Sequence, residues 1–408
     1  MGQRPPVSDW ATDFDHLTDE WAAHGPEILA DLRGRCPVPS TERFHGAYIA
    51  TRYEDAVAVA QDPATFSSRV TMVTDAHPDD IKLSLGPLTL DPPLHAPLRR
   101  ALLPAFNPRR VAELEAVVAQ IVEGLLDEIG DRAEFDAASE FAEQVPVRLM
   151  SHLFGVPAAQ GAAFKGWVDG VLKEGLLDIQ IARDANRAIQ AYFVEQLRSR
   201  RESDEHQDDL VSMVLDARLT EEDGSGRPLT DREQIGCLYV LLLGGVDTTW
   251  SLIGAALIHL GTHPADLERL TAEPDLVPFA IEEFLRAYSP ATVARVITRD
   301  ADIGGCPVDA GKRLLISYPS ANRDESVFER ADEVLIDRQR NRHVAFGVGI
   351  HRCIGSNLAR MEMEVALRGW LKRFPRFTLA CDPSEIRWSN GAVRGPHEVP
   401  LRIEKTSR

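Results

Sequence analysis

Cysteine is scarce: five residues in 408, at 36, 237, 306, 353 and 381, with no CxxC pair among them. That pattern excludes a disulfide framework and a zinc knuckle, and it fits a reducing compartment. Basic charge is scarce too. Lys and Arg number 45 against 63 Asp and Glu, a net charge of -18. Nucleic-acid binders neutralise phosphates with a surplus of cations, so nucleic acid is not the expected partner. No run approaches the ~18 apolar residues of a membrane span, and the opening MGQRPPVSDWATDFDH holds no apolar signal core. A cytoplasmic protein with no membrane contact is expected.

What is present has globular proportions, with 44% hydrophobic and 26% charged residues, which excludes disorder. At ~150 residues per domain the length suggests two or three domains. The pattern along the chain reads as one. Residues 1–25 look like a loose acidic leader, and 26–408 like a single domain. Residues 46–61 read as a strand and a helix, and 67–97 as a long irregular loop rich in Pro, Gly and Asp. From 109 to 200 apolar residues recur at helical spacing, as in Val111, Leu114, Val118, Ile121 and Leu125. Polar breaks follow at 202–209 and 220–230, and 264–290 is helical again. Strand-like pieces cluster late, at 293–298, 303–308, 313–317 and 376–405. The expected class is mainly α with a minor β component (α+β).

Thr230 and Glu233 form a capping box that opens an apolar run to His263. About 33 helical residues would span roughly 50 Å. Its middle reads Gly244-Gly245-Val246-Asp247-Thr248. Two glycines inside a helix cost roughly 1 kcal/mol each, and a buried acid needs partners. One reading is a kink where another helix packs. The other is a loosened groove where a small ligand meets an acid and an alcohol. Further on, Glu283 and Arg286 share a helix face at i, i+3. Taken alone, such a pair reads as a surface ion pair without functional meaning.

Residues 345–362 read AFGVGIHRCIGSNLARME. Cys353 follows His351 and Arg352 and precedes a helix, so the helix dipole and two cationic neighbours are expected to lower its thiol pKa. Three readings stand: a buried structural cysteine, a Cys–His nucleophile, or a thiolate on a metal centre. Without CxxCH there is no covalent haem attachment, and without further cysteines no iron–sulfur cluster. For the third reading, that leaves one thiolate on haem iron.

Together these segments resemble the soluble, bacterial-type cytochrome P-450 superfamily of haem-thiolate monooxygenases. The family pattern around the cysteine fits Phe346 to Gly355, the helical glycine–acid–threonine pattern fits Gly244 to Thr248, and Glu-x-x-Arg fits Glu283 and Arg286. The resemblance implies that Cys353 ligates haem iron beside Phe346, Gly244 and Gly355. It places His95, Arg99, Arg295 and His351 on the haem propionates, and Arg338 beside Glu283 and Arg286. Asp247 and Thr248 would deliver protons to bound dioxygen. Substrate would lie against Val240, Leu243, Gly244, Ala291, Thr292, Val293, Ala392, Val393 and the 67–90 loop, with Thr292 a polar anchor. Haem b and dioxygen are the implied cofactor and co-substrate, and the implied reaction is hydroxylation or epoxidation of an apolar small molecule. Electrons would come from a ferredoxin or flavodoxin and its reductase, docking near Arg340, Arg360 and Arg110 on a monomer. A peroxide-using or isomerising relative and a non-catalytic haem or small-molecule binder are the alternatives.

Overall fold

The computed structural model describes residues 4–75, 85–203, 207–220 and 225–404. Its organising element is the helix Asp231–Thr262. Thr230 Oγ1 accepts from the Glu233 N–H while the Glu233 carboxylate accepts from the Thr230 N–H, so the expected capping box starts it. An 18-residue window of this helix is apolar enough to cross a membrane, contrary to the sequence reading. Yet 78% of that window is buried inside the structure. A helix apolar on every face is what a protein core requires. It packs against the helices Gln144–Leu153, Gly161–Leu172, Ile179–Glu202 and Ser356–Arg373.

The helix Pro108–Ile129 shows why the 3.6-residue period is so legible. Val111, Leu114, Val118, Val122 and Leu125 all lie on its buried stripe. Each fully buried valine or leucine contributes about 1.5–3 kcal/mol. The stripe packs on the helix Ser356–Arg373, where a Cβ at Gly369 would come within 2.6 Å of Val122 Cγ1.

With 56% helix and 12% strand, the chain is mainly α with a minor β component. A five-stranded sheet runs in the order Ser40–Thr41, Ala47–Ala50, Arg313–Ser317, Thr292–Ile297, Phe66–Ser67. Arg313–Ser317 pairs parallel to Ala47–Ala50 and antiparallel to Thr292–Ile297. A smaller sheet joins Phe377–Leu379, Pro400–Ile403 and Glu134–Asp136.

Three local expectations need correction. Residues 4–25 are no loose leader: Phe14 and Leu17 are buried with Trp21 in a core cluster, and a helix starts at Asp19. The 220–230 break holds a strand pair, Arg218–Thr220 with Gly226–Pro228. In the 67–97 loop, a 3-10 turn forms at Gly86–Thr89 and the helix His95–Leu102 begins early. Residues 76–84 of that loop lie outside the described residues.

Candidate active site

The cysteine loop turns through Gly347 and Gly349, both at positive φ, and makes a short 3-10 turn at Gly349–His351. At Gly349 a Cβ would stand 2.5 Å from the Ala60 carbonyl oxygen, so only glycine fits. The Cys353 N–H donates to the Phe346 carbonyl at 2.8 Å, closing the loop back on itself. Gly355 caps the helix Ser356–Arg373, and a Cβ there would lie 3.9 Å from Cys353 Sγ. The Cys353 side chain itself is accessible to solvent. Enclosure by the protein nevertheless pushes its thiol pKa up, and the Gly355 N–H, Arg99, Arg352 and Arg360 offset that only in part. The sequence led us to expect the opposite direction. One of the two neighbours assumed cationic is neutral: burial, reinforced by Arg295, His95 and Arg99, pushes the His351 imidazole down to about 3.

The His95 and His351 rings stand 4.4 Å apart, and the Nε2 atom of each is buried without a partner. Asp91 steadies the approach to His95 by accepting from Ser67 Oγ and the Ser68 N–H. Arg99 donates to the Arg352 carbonyl, and buried Arg295 donates to the Ala294 carbonyl at 2.8 Å. Neither guanidinium has an ion pair with a described residue, and desolvation holds both below the usual arginine pKa. A buried cation such as Arg295 costs several kcal/mol when no ion pair offsets it. Asp91 acts on His95 and Arg295 from a distance, but no described carboxylate forms an ion pair with these groups, so the cluster suits an incoming acid group. Among the described residues, no three His, Cys, Asp or Glu side chains gather to hold a bare metal ion. A metal at Cys353 would therefore bring its other ligands with it.

In the central helix the two glycines of the pair have different surroundings, and each matches one part of the two readings. A Cβ at Gly245 would meet Met150 Sδ at 2.5 Å, so this glycine serves helix packing. A Cβ at Gly244 would meet nothing within 4 Å. The helix runs through both without interruption, so the expected loosening is absent. Thr248, one turn after Gly244, shares its accessible face and donates from Oγ1 to the Gly244 carbonyl at 3.3 Å.

Asp247 is turned away into a buried charge network. Its Oδ1 accepts from Lys173 Nζ and Trp250 Nε1, each at 2.8 Å, while Oδ2 has no partner. Lys173 also binds Asp169 at 2.8 Å, and Asp169 in turn binds Lys165. Burial alone would lower the Lys173 pKa, but Asp247 and Asp169 outweigh it and keep the ammonium charged. Sequence reasoning missed Lys173. The signal was there, in Lys165, Asp169 and Lys173 at successive four-residue steps.

Glu283 and Arg286 are fully buried, not a surface pair, and meet in a two-pronged ion pair at 2.8 and 2.9 Å. The expected Arg338 joins them, donating to Glu283 at 2.9 Å.

Comparison with known proteins decides the family. The family model for Cytochrome P450 matches residues 147–396. The chain is 31% identical over 399 residues to the polyketide biosynthesis cytochrome P450 PksS of Bacillus subtilis, covering 94% of this chain and 96% of that one. It is 34% identical over 364 residues to mycinamicin IV hydroxylase/epoxidase of Micromonospora griseorubida, covering 87% and 89%. It superposes on the solved PksS structure with a TM-score of 0.86 over 96% of this chain and 100% of that one. The chain belongs to the cytochrome P450 family.

Membership makes this P450 a monooxygenase of the bacterial type, with haem-thiolate chemistry and dioxygen as co-substrate. The cysteine and nitrogen cluster fit that group. Of the residues expected to touch substrate, the structure brings two strand segments together. Ala291 bridges to Val393, and the Thr292 N–H donates to the Ala392 carbonyl at 2.9 Å. Val240 is half-buried and Leu243 buried on the central helix, while Val293 pairs with Ile316 and packs against a core cluster. Thr292 lines two spaces at once: a narrow one with Ala392, Leu176 and Met72, and a separate cavity beside Trp21. Met72 belongs to the expected 67–90 loop, whereas Leu176, which comes from a distant segment, was not foreseen.

Two of the three expected docking arginines of the P450 are already engaged. Arg360 grips Glu282 at 2.5 and 2.9 Å beneath His343 and stacks 4.5 Å over Phe346. Arg110 pairs with Asp208 at 2.9 Å. Arg340 is exposed and forms no ion pair with a described residue.

The Glu282 contact has a pH consequence. Burial would raise its carboxyl pKa, but hydrogen bonds from Arg360 and His343 outweigh that and hold it at about 2, below the ordinary 4.5. A depressed carboxyl stabilises the fold above its unfolded pKa and loses that contribution as pH falls toward the folded one. The stability gap between wild type and Glu282→Gln, measured by urea unfolding, should be flat from pH 7 to about 5. It should then shrink as pH falls from 4.5 to 2. A gap constant down to pH 2 would show that Glu282 titrates normally.

Proposed function

We propose that Cys353 is the thiolate ligand of haem b in this monooxygenase. The observation that carries this is one accessible sulfur beside four nitrogen-bearing groups, His95, Arg99, Arg295 and His351, that form no ion pair with a described residue. Those four would bind the two propionates, and Phe346 and Gly355 would flank the sulfur. The spectrum of the reduced protein under carbon monoxide tests it. A strongly red-shifted Soret band is expected. A band typical of histidine ligation, or no haem in folded protein given ample haem, would sink the assignment.

When bound, the haem supplies dioxygen activation, and the thiolate's electron donation favours O–O cleavage. The chain's own part is proton delivery and water exclusion. Thr248 Oγ1 is held by a long bond to Gly244, so it can exchange that acceptor for a ligand over the open Gly244 face. Asp247 Oδ2, buried and without a partner, is the atom that takes up and passes a proton. Lys173 and Trp250 fix the carboxylate through Oδ1 and leave Oδ2 free to turn. Thr248→Ala is expected to keep haem and substrate binding. Most reducing equivalents should then go to peroxide or water, read as product formed per NAD(P)H consumed. Unchanged coupling would remove Thr248 from the mechanism.

The substrate is an apolar small organic molecule, hydroxylated or epoxidised against Val240, Leu243, Gly244, Ala291, Val293, Ala392 and Val393. The name of the relative mycinamicin IV hydroxylase/epoxidase supports hydroxylation or epoxidation as the reaction type. Thr292, which lines both the narrow space beside Ala392 and the cavity beside Trp21, would be a polar anchor for the substrate. An acidic ferredoxin or flavodoxin, itself fed by a reductase, would deliver electrons at the face carrying Arg340 and Arg352, both exposed.

A further inference from the structure

A second cavity, of about 300 Å³, lies between the helix Asp19–Arg35, the end of the helix Val277–Ala287 and the 388–394 turn. That volume is at the lower end for small-molecule sites. Trp21, Pro26, Leu29 and Trp388 give it apolar walls, and Arg33, Arg323 and Arg394 also line it. Glu27, exposed at the rim, is the one carboxylate in the lining.

Local structure explains how the arginines are held. Pro26 has no N–H, so the Ala22 carbonyl four residues earlier lacks its helical donor, and the helix kinks at His24. Arg394 donates to that orphaned carbonyl and lies 4.8 Å over the Trp388 ring. Arg323 caps the Ala287 carbonyl at a helix end with Nε and one NH₂ group, at 3.1 and 2.9 Å. Neither forms an ion pair with a described residue. Desolvation lowers the pKa of both, that of Arg394 to about 10; Glu27 partly offsets it at Arg394 while Arg323 adds to it, and at Arg323 Tyr288 and Asp332 partly offset it while Arg286 and Arg33 add to it. Arg33 donates to Ser320 Oγ at 3.1 Å, and its nearest carboxylate is the exposed Glu325 at 3.6 Å. Ser289 is 2% exposed, and its Oγ has no partner.

Two half-buried guanidiniums lining one cavity, with no ion-pair partner among the described residues, leave a place for an anion to join them. A bare inorganic ion would leave both indoles and much of the volume unfilled. Glu27 at the rim disfavours a second negative charge. We propose that this cavity binds a small organic monocarboxylate, its carboxylate held by Arg323, Arg394 and Ser289 Oγ and its apolar body by Trp21 and Trp388. The site is separate from the cysteine loop and does not depend on the haem assignment.

Calorimetric titration of the full-length holoprotein with benzoate tests this, with benzamide and inorganic phosphate as comparisons. The Soret band is followed in parallel. One-to-one benzoate binding without a Soret shift is expected, with benzamide about tenfold weaker or more because it carries no charge. Arg394→Gln should weaken benzoate by about tenfold, the cost of losing a charged hydrogen bond. Ser289→Ala loses no bond within the fold, so it should stay folded and weaken benzoate a few-fold. No heat with benzoate, heat unchanged in both variants, or phosphate binding as well as benzoate would each overturn the proposal.

Discussion

Replacing Arg286 by alanine is expected to destabilise the fold by about 3–5 kcal/mol, as removal of one partner of a buried ion pair does. The side chain is fully buried and all of its donors are spent. Two bonds go to Glu283, and three go to the carbonyls of Asn322, Ala331 and Glu333, at 2.9, 2.7 and 2.6 Å. Removing it orphans those carbonyls and leaves the Glu283 carboxylate with Arg338, Asn341 and the Leu335 N–H alone. Against a total stability of about 5–15 kcal/mol this is a large fraction. The carbonyls belong to the segment that leads into the cysteine loop, so haem content should fall together with the urea midpoint. Arg286→Lys should recover only part of the loss, since an ammonium keeps the charge but not the two-pronged geometry. If Arg286→Ala unfolds within ~1 kcal/mol of wild type, the pair is not a brace.

Cys353→Ala is expected to remove the red-shifted carbon monoxide band completely and monooxygenase turnover with it. The variant should still fold. The loop is shaped by Gly347, Gly349 and the Cys353 N–H to Phe346 carbonyl bond, none of which needs the sulfur. Haem retention should drop without vanishing, because His95, Arg99, Arg295 and His351 still offer their nitrogens to the propionates. Arg295→Gln supplies the opposite test, weakening haem retention while leaving the band position of the remaining haem unchanged. Retention of the wild-type band in Cys353→Ala would mean that another residue ligates the iron.

Features that depend on neighbours in sequence were readable from it. The Thr230–Glu233 capping box, the apolar stripe of Pro108–Ile129, the strands near 47, 293 and 313, and the glycine spacing around Cys353 all follow from local sterics and period. The ordered motifs also identified the family before any coordinates. What failed were judgements about charge. Glu283 and Arg286 taken alone looked like a surface pair, and Arg360 and Arg110, expected near a docking partner, are held by Glu282 and Asp208. Thr292 was read as a wall of one pocket and lines two spaces.

The reason is physical. The worth of a charge is set by its burial and its partners, and those partners come from elsewhere in the chain. Glu282 and Arg360 are separated by 78 positions, and Glu283 and Arg338 by 55. No local pattern says whether a guanidinium will meet a carboxylate, a helix-end carbonyl or nothing. The sequence by itself determined the cysteine, the acid–alcohol pair and the helices that carry them. The tertiary structure alone decided that Asp247 is anchored by Lys173, and that Glu283 and Arg286 are a buried brace. It also decided that buried Arg295 and half-buried Arg323 and Arg394 stand without an ion pair among the described residues, because only packing removes water from a charge.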